Sequence, residues 1–262
     1  MIPRSYITQW KKNAPWNSDY QVEQDLIIER ALIEIFSDEE LYERLAFRGG
    51  TALHKLFLKP QARYSEDIDL VQVDAGSIGD ILTLLREKLS FLGKAKYNLS
   101  NHNATLIYRF ESEAEPISKL KLKIEINTRE HFTVFGHKDY KHSVKSDWFN
   151  GDCRIKSFLI EELLSTKLRA LYQRSKGRDL FDIYYTYINK NLESEKIIKG
   201  FYEYLKNENL NISKSDFISN MEAKLMNSEF TGDITALLRT SVDYNSVDAW
   251  KLVKNKLIDK LD

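Results

Sequence analysis

A chain of 262 residues is long enough for one large domain or two small ones, since domains usually run to about 100–200 residues. Its 39 basic and 39 acidic side chains cancel, which removes any global field that would draw it onto nucleic acid or a membrane and leaves only a local patch for a polyanion. A single cysteine, Cys153, excludes a disulfide framework or a cysteine-based zinc site, and no apolar run forms a membrane span or a signal peptide, so a soluble cytoplasmic protein is expected.

Apolar residues Val22, Leu26, Ile27, Ala31, Leu32 and Ile35 recur at helical spacing behind a Ser18 cap and predict an amphipathic helix over 19–36. A short strand at 45–47, a Gly-Gly turn, a helix-like TALHKLFL, a loop opened by Pro60 and a strand at 68–73 follow. A helix over 78–91 precedes strand-like runs at 96–99, 105–110, 120–127 and 132–135. Strands in succession without helices predict antiparallel pairing at one sheet edge. After a basic loop over 136–148 and a last strand at 153–158, every periodic segment is helical: 159–175, 178–190, 194–207, 214–227, 229–240 and 246–260. The order predicts an α+β fold, with a mixed sheet and helices over residues 1–158 and an all-helical domain over 159–262.

The chemistry concentrates on a few spacings. In ARYSEDIDL the strand period puts Asp67 and Asp69 on one face and Ile68 and Leu70 on the other. Two carboxylates side by side raise each other's pKa unless a cation neutralises them. A hard cation such as Mg²⁺ does so with oxygen ligands and keeps positions open for phosphate; the plainer alternative is a solvated strand face. Upstream, Gly49-Gly50-Thr51 leads into a helix whose free N–H groups form an anion site, although most such turns only reverse the chain. In KLKLKIEIN, Lys121, Lys123, Glu125 and Asn127 share one face. Glu125 completes a three-carboxylate cluster if its strand lies beside that of Asp67, and otherwise is a surface charge paired with Lys121 or Lys123. Such a cluster suits in-line phosphoryl transfer.

Further along, Ile160, Leu163, Leu164, Leu168, Ala170 and Leu171 form an apolar helical arc with Lys167 in its middle. A lysine there either snorkels out along its stem or meets an anion inside. In RDLFDIYYTYIN the polar side holds Arg178, Asp179, Asp182 and Asn189, whose plain reading is a solvated face with an Arg178–Asp182 pair. The 136–148 loop carries Lys138, Lys141, Lys145, His137 and His142 with Tyr140 and Trp148 interleaved, a composition suited to phosphate contact and base stacking, though a solvated loop is the commoner meaning. The histidines show no metal-ligand spacing, and no Walker, Gly-x-Ser-x-Gly or dinucleotide fingerprint occurs.

Taken in order, GGT at 49–51, ARYSEDIDL at 62–70, KIEI at 123–126, EELLSTKLRAL at 161–171 and GRDLFDIYY at 177–185 resemble the AbiEii/MenT nucleotidyltransferase toxins of the DNA polymerase β-like superfamily. The resemblance implies Gly49, Gly50 and Thr51, with Arg63 and Ser65, on the nucleotide phosphates, and Asp67 and Asp69 as metal ligands, which Glu125, on the strand reading above, is expected to join as the third. It implies Lys167 on the triphosphate, reinforced by Arg174, and Asp182 in a catalytic supporting role with Arg178 and Asp179 in an interdomain cleft. The cofactors implied are Mg²⁺ or Mn²⁺ and an NTP, whose nucleoside monophosphate passes to an acceptor hydroxyl with release of pyrophosphate. Family precedent implies the 3′ end of tRNA as acceptor, a cognate antitoxin as partner, and a role in a toxin–antitoxin or phage-defence pair. Two other readings stand beside it: transfer to a small molecule or protein hydroxyl, which zero net charge suits better than tRNA, and a non-catalytic module that holds a nucleotide or an antitoxin. The stretch from Thr51 to Asp67 is long for the superfamily pattern and implies an unusual connecting loop.

Overall fold

The computed structural model describes residues 2–262, and the chain falls into two units, one ending at Phe158 and the other running Leu159–Asp262. The first unit is built on seven strands: β1 Leu45–Arg48, β2 Asp67–Gln72, β3 Lys96–Leu99, β4 Asn103–Glu111, β5 Lys119–Asn127, β6 Lys138–Lys145 and β7 Asn150–Ser157. They form one sheet in the order β3-β4-β5-β2-β1-β7-β6. The antiparallel edge expected from strands in succession is β3-β4-β5. β5 then lies parallel to β2, which is antiparallel to β1, while β1 meets β7 in parallel. Strict alternation explains why β5 sits inside the sheet: Leu120, Leu122, Ile124 and Ile126 are buried on one face, leaving lysines and Glu125 on the other.

Five helical segments accompany the sheet: α1 Arg4–Trp10, α2 Asp19–Phe36, α3 Glu39–Arg44, α4 Gly49–Ala52 and α5 Gly79–Lys88. α4 runs on without interruption into a π-helical turn, Leu53–Phe57. α1 and α3 were not expected, being too short for a periodic signal. α2 departs from the amphipathic expectation, since Glu23, Gln24, Asp25 and Glu29 are buried along with its apolar side chains. Each has a partner, as burial requires. Lys55 Nζ donates to Asp25 Oδ1 at 2.6 Å and to Glu29 Oε1 at 2.8 Å; His142 Nε2 meets Glu29 Oε2 at 2.6 Å, and Trp10 and Gln61 donate to Asp25. Burial opposes ionisation of Glu29, but the Lys55 and His142 charges prevail and hold its carboxyl below the usual range. Gln24 Nε2 spans the carbonyls of Glu66 and Lys121 at 3.2 and 2.9 Å, tying together the residues that precede Asp67 and Leu122 and so helping to fix the β2–β5 register.

Two stretches differ from expectation. Residues 132–135 are irregular rather than a strand, and the basic loop at 136–148 is mostly β6. Tyr140, His142 and Val144 alternate with exposed residues along β6; the lysines disguised that period, and His142 goes inward only because Glu29 waits there.

The second unit is all helical: α6 Ile160–Gln173, α7 Gly177–Asn189, α8 Ser194–Asn207, α9 Lys214–Leu225, α10 Ser228–Gly232 and α11 Ser246–Lys256. The helix expected over 229–240 is instead α10 followed by a 3₁₀ turn, Thr235–Leu237. α6 packs against α7 and α8, and α11 packs against α7. The Lys224 ammonium donates to the carbonyls of Leu171 and Tyr172, closing the C-terminal end of α6, where a cation is favoured. Gly177 starts α7 where a Cβ would strike the Phe230 carbonyl, whose carbon lies 3.2 Å from that position. Among the described residues no helix is long and apolar enough to cross a membrane.

Candidate active site

The β2–β5 pairing sets the first half of the site. Asp67 lies opposite Lys123 and Asp69 opposite Glu125, so the strand period brings all four side chains onto one face. Glu125 thus stands beside the aspartates, as the three-carboxylate reading required. Its oxygens are already engaged, however: Asn103 Nδ2 donates to Oε1 at 3.1 Å and Lys123 Nζ to Oε2 at 3.1 Å. Lys123 Nζ also lies 3.3 Å from Asp67 Oδ2. Burial works against the ammonium, but Asp67, Glu125 and Asp69 outweigh it and hold Lys123 protonated beyond its ordinary range.

The expected metal set of Asp67, Asp69 and Glu125 is therefore not assembled. Among the described residues no three His, Cys, Asp or Glu side chains converge in a metal-holding group. The physical reason is Lys123, which places a positive charge between Asp67 and Glu125. What remains for a divalent ion is the Asp67–Asp69 pair. Asp67 Oδ1 is buried and accepts no hydrogen bond, a costly state that a cation or a donor relieves. With all-oxygen donors, this pair fits a hard ion such as Mg²⁺ or Mn²⁺.

The glycine turn meets the carboxylates directly. Gly49 has φ +78°, and a Cβ there would lie 2.9 Å from Asp69 Cβ and Cγ and closer still to Oδ2. Only glycine allows both the backbone angle and the approach. Gly49→Ala should cost about 1–3 kcal/mol of stability and displace Asp69, with nucleotidyl transfer falling in step. A thermal melt indistinguishable from that of the parent would show that Asp69 has room to move aside.

Gly50 and Thr51 complete the first turn of α4, whose N–H groups have no acceptor within the helix. The Thr51 hydroxyl, expected on phosphate, is turned into the protein: it is buried and donates to the Asp67 carbonyl at 2.5 Å. Its one proton being spent there, Ser65 Oγ, 2.7 Å away, is the donor in the second contact. Arg63, also expected on phosphate, is buried, with its guanidinium donating to the Tyr64 carbonyl at 3.0 Å. Thr51, with Ser65 behind it, thus ties the turn to the start of β2. Sequence reasoning passed over Arg48, which precedes the turn, lies opposite Asp69 and pairs with Glu130 at 2.6 Å. Its position next to Gly49 was the available signal. Asn103 gave none, since only the β4–β5 register brings it near Glu125.

The second unit carries the other group of candidates. Lys167 is inside, as one of the two readings of its position demanded: Nζ lies 2.9 Å from Asp179 Oδ1 and 2.8 Å from Asp182 Oδ2, both aspartates being fully buried. The half-exposed Arg174 forks onto Asp179 at 2.7 and 2.9 Å, a bidentate geometry. Burial raises the Asp179 pKa, but Lys167 and Arg174 overcome it and keep the carboxyl below its usual range. The solvated-face reading of Asp179 and Asp182 is set aside by their burial. Arg178 stands in the first turn of α7, with its backbone N–H on Asp233 Oδ2 at 3.2 Å.

The family model "Nucleotidyl transferase AbiEii toxin, Type IV TA system" matches residues 30–253. Among curated proteins, none matches the sequence. Among solved structures, MenT4, a nucleotidyltransferase toxin from Mycobacterium tuberculosis H37Rv, superposes with a TM-score of 0.69 at 14% identity, covering 100% of this chain and 91% of that one. JHP933 from Helicobacter pylori gives a TM-score of 0.55 at 17% identity, with 93% and 95% covered. At such identities the superpositions speak for the fold alone, while the family model spans most of the chain. A glycine turn pressed on an aspartate pair, a mixed sheet, a helical unit with a buried lysine and the family match agree: the chain belongs to the AbiEii nucleotidyltransferase toxins and is a nucleotidyl-transferring enzyme.

Proposed function

We propose that the enzyme moves a nucleoside monophosphate from an NTP onto the 3′-terminal hydroxyl of tRNA, with Mg²⁺ held by Asp67 and Asp69, and so halts growth until a cognate antitoxin intervenes. The observation that carries this reading is the buried, unbonded Asp67 Oδ1 on the face where Asp69 presses against Gly49. A bound divalent ion would neutralise phosphate charge and ease deprotonation of the acceptor hydroxyl. The N–H groups at Gly49, Gly50 and Thr51 receive phosphate oxygens at a helix start. Thr51 and Ser65 keep that turn at a fixed distance from Asp67, and Lys167, oriented by Asp179 and Asp182, supplies positive charge to the triphosphate. Cytoplasmic action and a phage-defence setting belong to the same reading.

A small-molecule or protein hydroxyl is the second acceptor class, favoured by the zero net charge, because tRNA binding draws on clustered cations. Exposed Lys138, Lys141 and Lys145 on the edge strand β6 are the local source of charge that the tRNA reading uses. The test is incubation of the purified chain with bulk tRNA, Mg²⁺ and each α-labelled NTP in turn. Labelling of the tRNA 3′ end with one NTP, abolished when EDTA is present from the start, is the expected result. Label that appears only on protein or on small-molecule acceptors from an extract would transfer the proposal to those substrates.

A further inference from the structure

The three carboxylates on the β2–β5 face carry three negative charges. A divalent ion on Asp67 and Asp69 would add its charge beside the Lys123 ammonium, and a second divalent ion would have to take the place that the ammonium fills between Asp67 and Glu125. Lys123 Nζ sits at the shared point, 3.3 Å from Asp67 Oδ2 and 3.1 Å from Glu125 Oε2, while Asn103 takes the other Glu125 oxygen at 3.1 Å. The parallel register fixes this arrangement, since Lys123 lies opposite Asp67 and Glu125 opposite Asp69, two residues along on the same face. Withdrawing the lysine would need either a one-residue slip, which would bury it in place of Ile124, or a rotamer that gives up its contacts with both Asp67 and Glu125.

Resting on the reading of this face as the nucleotidyl-transfer centre, we propose that Lys123, held by Glu125, takes the place of a second divalent cation. The centre then binds one divalent ion on Asp67 and Asp69. Glu125 acts as the anchor of Lys123 and not as a metal ligand, and Lys123 is a positioning residue that compensates charge. Two-metal phosphoryl-transfer sites hold their ions about 3.5–4 Å apart, which is the separation at which paired Mn²⁺ ions show spin coupling. A single-ion centre has no such signature.

The experiment is a Mn²⁺ titration of the full chain, with a non-hydrolysable α,β-imido NTP present, followed by electron paramagnetic resonance. The wild type should show an uncoupled spectrum and no second tight ion. Lys123→Ala should gain a second ion bound at least tenfold more tightly than in the wild type, with a coupled spectrum. Lys123→Arg should behave as the wild type, and Lys123→Ala combined with Glu125→Gln should lose the second ion again. Lys123 is partly exposed, and the Arg variant keeps the charge, so folding is not the limiting concern. A coupled pair in the wild type, or a Lys123→Ala spectrum identical to the wild type, would overturn the proposal alone. Protein-bound Mn²⁺ that is indifferent to Asp67→Ala would overturn both the proposal and the active-site reading on which it rests.

Discussion

Asp67→Asn should lower nucleotidyl transfer by about 10²–10⁴-fold while leaving the melting temperature unchanged or slightly raised. A metal held by this carboxylate would supply several kcal/mol of transition-state charge stabilisation, and each 1.36 kcal/mol is about a tenfold change in rate. Stability points the other way. Asp67 shares its face with the carboxylates of Asp69 and Glu125, so removing one negative charge relieves repulsion, and asparagine keeps the shape. The amide also gives the buried Oδ1 position a neutral group that is cheaper to desolvate. Parallel loss of activity and of melting temperature would mean that Asp67 is a structural residue. Full activity would place the chemistry elsewhere.

Lys167→Met should have the largest effect on stability, roughly 3–5 kcal/mol, because it removes the ammonium shared by two buried carboxylates. Asp179 keeps Arg174, but Asp182 loses an ammonium at 2.8 Å. Urea unfolding read from the helical signal of the second unit would show the shift in midpoint. The double variant Lys167→Met, Asp182→Asn should recover most of that stability and none of the activity if the ammonium also serves the triphosphate. Recovery of both would reduce Lys167 to a structural tie. The network also gives a pH signature. Asp179 has a folded pKa below its unfolded value of about 3.9, so the stability it contributes is present above that pH and is lost as pH falls towards the folded value. Below about pH 4 the wild type should therefore lose stability faster than an Asp179→Asn variant.

The carboxylate face was legible in the sequence because a strand period needs only neighbouring residues: DIDL and KIEI each declare a polar and an apolar side. The same locality explains what was missed. Lys123 next to Glu125 looks like a surface pair, and its contact with Asp67 exists only because β5 lies parallel to β2 in one particular register. The acids of α2 were unreadable for the same reason, since Lys55 and His142 lie 26 and 113 residues from Glu29 along the chain. Lys167 was singled out because a charge centred in an apolar helical arc is a local contradiction, whereas Asp182 sat on the polar side of the following helix and stood out only through the family resemblance. Thr51 was misplaced in detail: Gly-Gly-Thr marks the turn, but whether the hydroxyl faces a phosphate or the Asp67 carbonyl depends on how closely α4 approaches β2.

The long connection from Leu58 to Glu66 invites comparison with the mobile flaps that cover many phosphate sites. Its interior says otherwise. Gln61, Ala62, Arg63 and Tyr64 are buried, Gln61 donates to Asp25, and Ser65 is bound to Thr51, so opening this segment would expose a stretch of core and break several hydrogen bonds at once. Its amides belong with the slowest-exchanging backbone of the first unit. The segment is thus a packed connection leading into β2 rather than a hinged flap.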